Sequence, residues 1–98
     1  MIIVLAKAIP NDESAKEKVI EFAQDLIENS KAEEGNVDYN LFENTSDGSL
    51  MFVEQWESKD ILGSHLKTKH FIKFGANIMG LLSRDLDIKV FEAEPADL

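Results

Sequence analysis

Both histidines and the single tryptophan of this chain lie in one short stretch, from Trp56 to His70. The segment reads Phe52-Val53-Glu54-Gln55-Trp56-Glu57-Ser58 and then His65-Leu66-Lys67-Thr68-Lys69-His70-Phe71. Imidazole exchanges protons near neutral pH, and the chain has no cysteine to act in its place. His65 follows Ile61 by four positions, so the two share a helix face that should look inward. A buried imidazole needs a partner for at least one nitrogen; Glu54, Tyr39 or a water would serve. Two readings of His65 stand open: a general acid or base at the wall of an apolar cavity, or a satisfied structural histidine.

The neighbouring groups carry similar pairs of readings. Trp56 either lines a cavity and donates its indole hydrogen or simply fills the core. Phe71 and Phe74 are core residues or the walls of a pocket for a flat organic molecule. Asn40 could orient a substrate oxygen or face solvent. His70 lies five positions after His65, which turns it to another helix face. His-x4-His is not a zinc spacing and no third nitrogen or sulfur ligand exists, so no metal is expected, although a carboxylate could complete a site. Glu33-Glu34 carries no weight as a catalytic pair in so acidic a chain.

Four strands and intervening helices must position these groups. Ile2 to Ile9 puts Ile2, Val4, Ala6 and Ala8 on one face and Ile3, Leu5 and Ile9 on the other, a strand apolar on both sides. Asn11 or Asp12 caps a helix carrying Ala15, Val19, Phe22, Ala23, Leu26 and Ile27, and Gly35 ends it. Asn36 to Glu43 is the next strand, with Val37, Tyr39 and Leu41 on one side. A hairpin with Gly48 in a left-handed conformation leads to the strand from Leu50 to Glu57. Ser58 caps a short helix, Thr68 restarts a second segment, and Leu86, Ile88 and Val90 mark the last strand. Strand, helix, strand, strand, helix, strand gives an α+β, ferredoxin-like βαββαβ sandwich with a four-stranded antiparallel sheet. The first and third strands, apolar on both faces, take the centre. The helices cover one face of the sheet, so the other should pack on a second copy in a homodimer.

Ninety-eight residues with 44% hydrophobic content fit one domain spanning 1–98. The net charge of −9 argues against nucleic acid as a partner. The opening apolar run is too short to span a membrane and has no cleavable leader, so the expected location is cytoplasmic. No Gly-rich nucleotide-binding motif is present.

From Glu54-Gln55-Trp56-Glu57-Ser58 through His65 to Phe71, with Glu34-Gly35-Asn36-Val37-Asp38-Tyr39 and the Ile2–Ile9 strand, the chain resembles the antibiotic biosynthesis monooxygenase (ABM) family. That resemblance covers nearly the whole chain. It implies a dimeric α+β barrel, and for some members oxidation of phenols, quinols or polyphenols by O₂ without a cofactor. One branch instead isomerises a phosphorylated, sugar-like product of the autoinducer-2 signal, and many members have no known activity. The family histidine falls on His65 and the strand-end tryptophan on Trp56. The haem-degrading branch has an asparagine where this chain has Lys7, a tryptophan where it has His65, and an iron-binding histidine near Gly75. The expectation is a cofactor-free monooxygenase with His65 as base, Trp56, Phe71 and Phe74 holding the ring, and Asn40 or Tyr39 orienting its oxygens. The alternatives are an isomerase of a small carbonyl compound and a non-catalytic ligand-binding or stress-associated dimer.

Overall fold

The computed structural model describes residues 1–98. Its elements run β1 (Ile2–Ala8), α1 (Glu13–Lys31), β2 (Asn36–Glu43), β3 (Leu50–Trp56), α2 (Lys59–His65), α3 (Lys69–Asn77) and β4 (Asp87–Glu92). The sheet order is β2-β3-β1-β4 and every neighbouring pair is antiparallel. This is the expected ferredoxin-like α+β sandwich, with the two doubly apolar strands at its centre.

Each helix starts where a short polar side chain can replace a missing backbone acceptor. Asp12 Oδ1 accepts from the Ala15 amide at 2.8 Å, Ser58 Oγ from Ile61 at 3.2 Å, and Thr68 Oγ1 from Phe71 at 3.3 Å. Thr68 also donates to the His65 carbonyl at 2.7 Å. One hydroxyl therefore ties the end of α2 to the start of α3 and fixes the bend between the two histidines.

The core forms on one face of the sheet. Ile2, Val4, Ala6 and Ala8 of β1 meet Leu50, Phe52 and Trp56 of β3, and α1 lays Val19, Ala23 and Leu26 across them. That spacing is one stripe of a 3.6-residue helix. The opposite face carries Ile3 and Leu5 of β1 beside Met51 and Val53 of β3, all partly exposed, flanked by Phe42 and Phe91, each about half exposed.

Val37 departs from its expected side. A bulge between Asn36 and Asp38 inserts it as an extra residue in β2, and it lies 48% exposed. The side-chain alternation is reset there, so Tyr39, opposite Glu54, faces the helices. β4 is exposed along its whole length. No helix of the chain is long and apolar enough to cross a membrane.

Candidate functional site

Between the sheet and α2–α3 lies a cleft of about 120 Å³. Its wall includes Tyr39, Phe52, Phe71, Phe74, Glu54 and His65, and β4 contributes Ile88 and Val90 at the side. Apart from Glu54 and His65 the lining is hydrophobic, and no lysine or arginine reaches it.

His65 ends α2 and is 1% exposed. Its ring lies 4.5 Å from the Trp56 indole, 5.1 Å from Phe71 and 5.5 Å from Tyr39, centroid to centroid. Its protein hydrogen-bond partner is neither Glu54 nor Tyr39. Glu33, in the turn after α1, places Oε2 2.6 Å from His65 Nδ1 and 2.8 Å from His70 Nε2. Glu33 reaches this position because the turn is tight. Its amide donates to the Ser30 carbonyl and its carbonyl accepts from Asn36, while Gly35 takes φ +85°. Ile61 of α2 fills the space where a Gly35 side chain would be, within 2.7 Å of that site. The absent side chain lets α2 approach the turn, and His65 sits one helical turn beyond Ile61.

A carboxylate only accepts hydrogen bonds, so the nitrogen facing Glu33 carries the proton. His65 is then the Nδ1–H tautomer with its lone pair on Nε2. That atom is buried and has no protein partner. Burial pushes the His65 pKa below the ordinary 6.5, while the Glu33 carboxylate pulls the other way. The outcome is a neutral, carboxylate-oriented imidazole at physiological pH.

Glu54 is the second ionisable group in the wall. It is 5% exposed, and its Oε1 accepts from Trp56 Nε1 at 3.0 Å. Burial pushes its pKa up to about 7, against the lowering effect of hydrogen bonds from Trp56 and Tyr39. The Tyr39 phenol is raised well above its ordinary range, first by burial and then by the Glu54 charge.

Of the groups expected from sequence, His65, Tyr39, Phe71 and Phe74 share the cleft wall. Trp56 stands outside the wall, fully buried against the imidazole, where its indole holds Glu54. Asn40 faces the other side of β2, paired with Val53, because alternation puts it opposite to Tyr39. Glu33 escaped sequence reading because 32 positions separate it from His65. The available signal was a carboxylate two residues before a helix-ending glycine.

Glu33, His65 and His70 are also the one group of His, Asp and Glu side chains close enough to consider for a metal ion, with atoms within 4.8 Å. The arrangement fits shared protons better. Two ligands on one zinc at about 2.0–2.1 Å in tetrahedral geometry stand roughly 3.3 Å apart, whereas both nitrogens approach one carboxylate oxygen at hydrogen-bond distance.

A four-stranded antiparallel sheet with helices on one face, and an apolar cleft between them that an imidazole lines, define a ferredoxin-like α+β protein. The chain belongs to the antibiotic biosynthesis monooxygenase family, whose model matches residues 1–77. It is 35% identical over 88 residues to YcnE of Bacillus subtilis (strain 168), a protein provisionally designated a monooxygenase; the match covers 89% of this chain and 93% of YcnE. The fold superposes on Rv0793 of Mycobacterium tuberculosis with a TM-score of 0.89 at 24% identity, covering 97% and 96% of the two chains. A conserved protein of Bacteroides thetaiotaomicron, described as a possible oxidoreductase, superposes with a TM-score of 0.82 at 31% identity, covering 94% and 97%.

Proposed function

We propose that this protein is a monooxygenase that oxidises a small phenol or quinol with O₂, using electrons from the substrate itself. The observation that carries this reading is the Glu33–His65 pair at an aromatic, cation-free cleft. Glu33 fixes the tautomer, and His65 Nε2 takes the phenolic proton. The phenolate is a far better one-electron donor than the phenol, and O₂ is its acceptor. Phe71 and Phe74 hold the ring, while Tyr39 and Glu54 meet its oxygens. Membership of the family supports oxygenase chemistry in general; the choice of a neutral aromatic substrate rests on the lining. With no lysine or arginine in the wall, a phosphorylated carbonyl substrate would lack a counter-charge.

The same reading includes a homodimer. The apolar patch around Leu5 and Val53 lies on the face the helices leave open, and a second sheet packed there removes it from water at about 25 cal/mol per Å².

Oxygen uptake measured with a panel of hydroquinones tests the activity. Wild-type protein should consume O₂, and His65→Ala should lose about 10²-fold or more of the rate with the fold intact. Unchanged turnover in that variant removes His65 from the chemistry.

A further inference from the structure

We propose that Glu54 is a second catalytic residue of this cleft, the proton donor to the oxygen atom that O₂ adds to the ring, working in concert with His65. The inference deepens the oxygenase reading and rests on it. Its basis is placement. On the inward face of β3, Leu50, Phe52 and Trp56 fill the core. Glu54 alone brings an ionisable group to that row, 5% exposed and with no lysine, arginine or histidine paired to it. The fold gains hydrogen bonds from the Trp56 indole and the Tyr39 phenol, and the amide oxygen of an uncharged glutamine would also accept from these donors. Desolvation of a carboxyl is costly, a cost that glutamine would avoid at this position. Glu54 lines the cleft together with His65, and its tendency to hold a proton near neutral pH suits an acid that shares a cleft with a neutral base.

The steps balance for a hydroquinone. His65 Nε2 takes one hydroxyl proton. The phenolate passes an electron to O₂, and the ring radical and superoxide join at the adjacent carbon as a C–O–O⁻ peroxide. Glu54 gives its proton to the terminal oxygen. The resulting carboxylate removes the hydrogen from the carbon bearing the hydroperoxide. That C–H electron pair completes a C=O bond as the O–O bond breaks, and the departing hydroxide takes the proton held on His65 to form water. One hydroquinone and one O₂ give one hydroxyquinone and one water, four electrons pass from the ring to oxygen, and both residues recover their starting protonation.

The experiment follows O₂ uptake, hydroxyquinone and hydrogen peroxide together in wild type, Glu54→Gln, Glu54→Asp and His65→Ala, with folding checked by circular dichroism. In Glu54→Gln the peroxide stays unprotonated and decays by returning quinone and hydrogen peroxide. Hydroxyquinone formation should fall by about 10²-fold, with most of the consumed O₂ recovered as hydrogen peroxide. Glu54→Asp, which restores a proton, should recover part of the coupling, whereas His65→Ala should lose uptake without uncoupling. A Glu54→Gln enzyme with wild-type rate and coupling overturns the role of Glu54 while leaving the oxygenase reading intact. Wild-type protein that consumes no O₂ with any quinol overturns both.

Discussion

Replacing Glu54 with glutamine should make the protein more stable at alkaline pH and leave it unchanged at acid pH. The magnitude follows from the displacement of the Glu54 pKa from 4.5 to about 7 by burial. At 1.36 kcal/mol per unit this amounts to about 3 kcal/mol. The folded-state pKa is raised, so the native state binds more protons than the unfolded chain between pH 4.5 and about 7. The contribution of Glu54 to stability is complete below pH 4.5 and lost as pH rises through 7. Above that, the folded protein must hold an ionised carboxylate in a dry core. Glutamine keeps an oxygen for the Trp56 indole and has no charge to bury. Other ionisable groups are common to both proteins and cancel in the difference. Denaturant titrations at matched protein concentration, from about pH 4 to about pH 9, should give coincident stabilities at the acid end and a gap of about 3 kcal/mol at the alkaline end. Thermal midpoints would separate by roughly 12–24 °C for a chain of this length. A difference that does not vary with pH would refute the reasoning, and would count against the proposed role of Glu54 as a proton donor at neutral pH.

Gly35→Ala should cost about 2–4 kcal/mol, combining a left-handed backbone at φ +85° with a methyl group driven against Ile61; a loss below about 1 kcal/mol on chemical unfolding would show that α2 does not depend on that approach. Acidification should weaken the fold through His65, whose folded pKa is depressed: its contribution is full above pH 6.5 and declines as pH falls towards the folded value. His65→Gln should flatten that part of the stability profile, and an unchanged acid slope would contradict the assignment. Leu5→Asp, at the middle of the open face opposite Val53, should halve the mass seen by sedimentation at micromolar concentration; an unaltered mass, or a monomeric wild type, would remove the dimer.

The frame was readable from side-chain periodicity because each strand and helix has to turn particular residues inward. Alternation in Ile2–Ala8, the 3–4 spacing of Ala15, Val19, Ala23 and Leu26, and the caps at Asp12, Ser58 and Thr68 are all local signals. His65 was readable for the same reason, four positions from Ile61. The bulge at Val37 was not, because the chain gives no glycine there to mark it and the displacement depends on how β2 meets β3. Nor was the partner of His65. Glu33 approaches it through a turn, a glycine and the packing of Ile61, a chain of contacts that no spacing within one element encodes.

Burial, more than that distant partner, sets the electrical character of the cleft. Burial acts on both ionisable groups in the wall, yet it displaces them in opposite directions, lowering the His65 pKa and raising that of Glu54. Both are driven towards their neutral forms, so a chain of net charge −9 presents a site with little charge of its own. Glu33 keeps its carboxylate behind the imidazole rather than in the wall. It can orient the ring without repelling an electron-rich guest. A phenolate formed beside His65 would then meet a newly formed imidazolium and a carboxyl whose hold on its proton burial strengthens. The features that keep the cleft neutral at rest are thus the ones that favour negative charge on the substrate once the proton has moved.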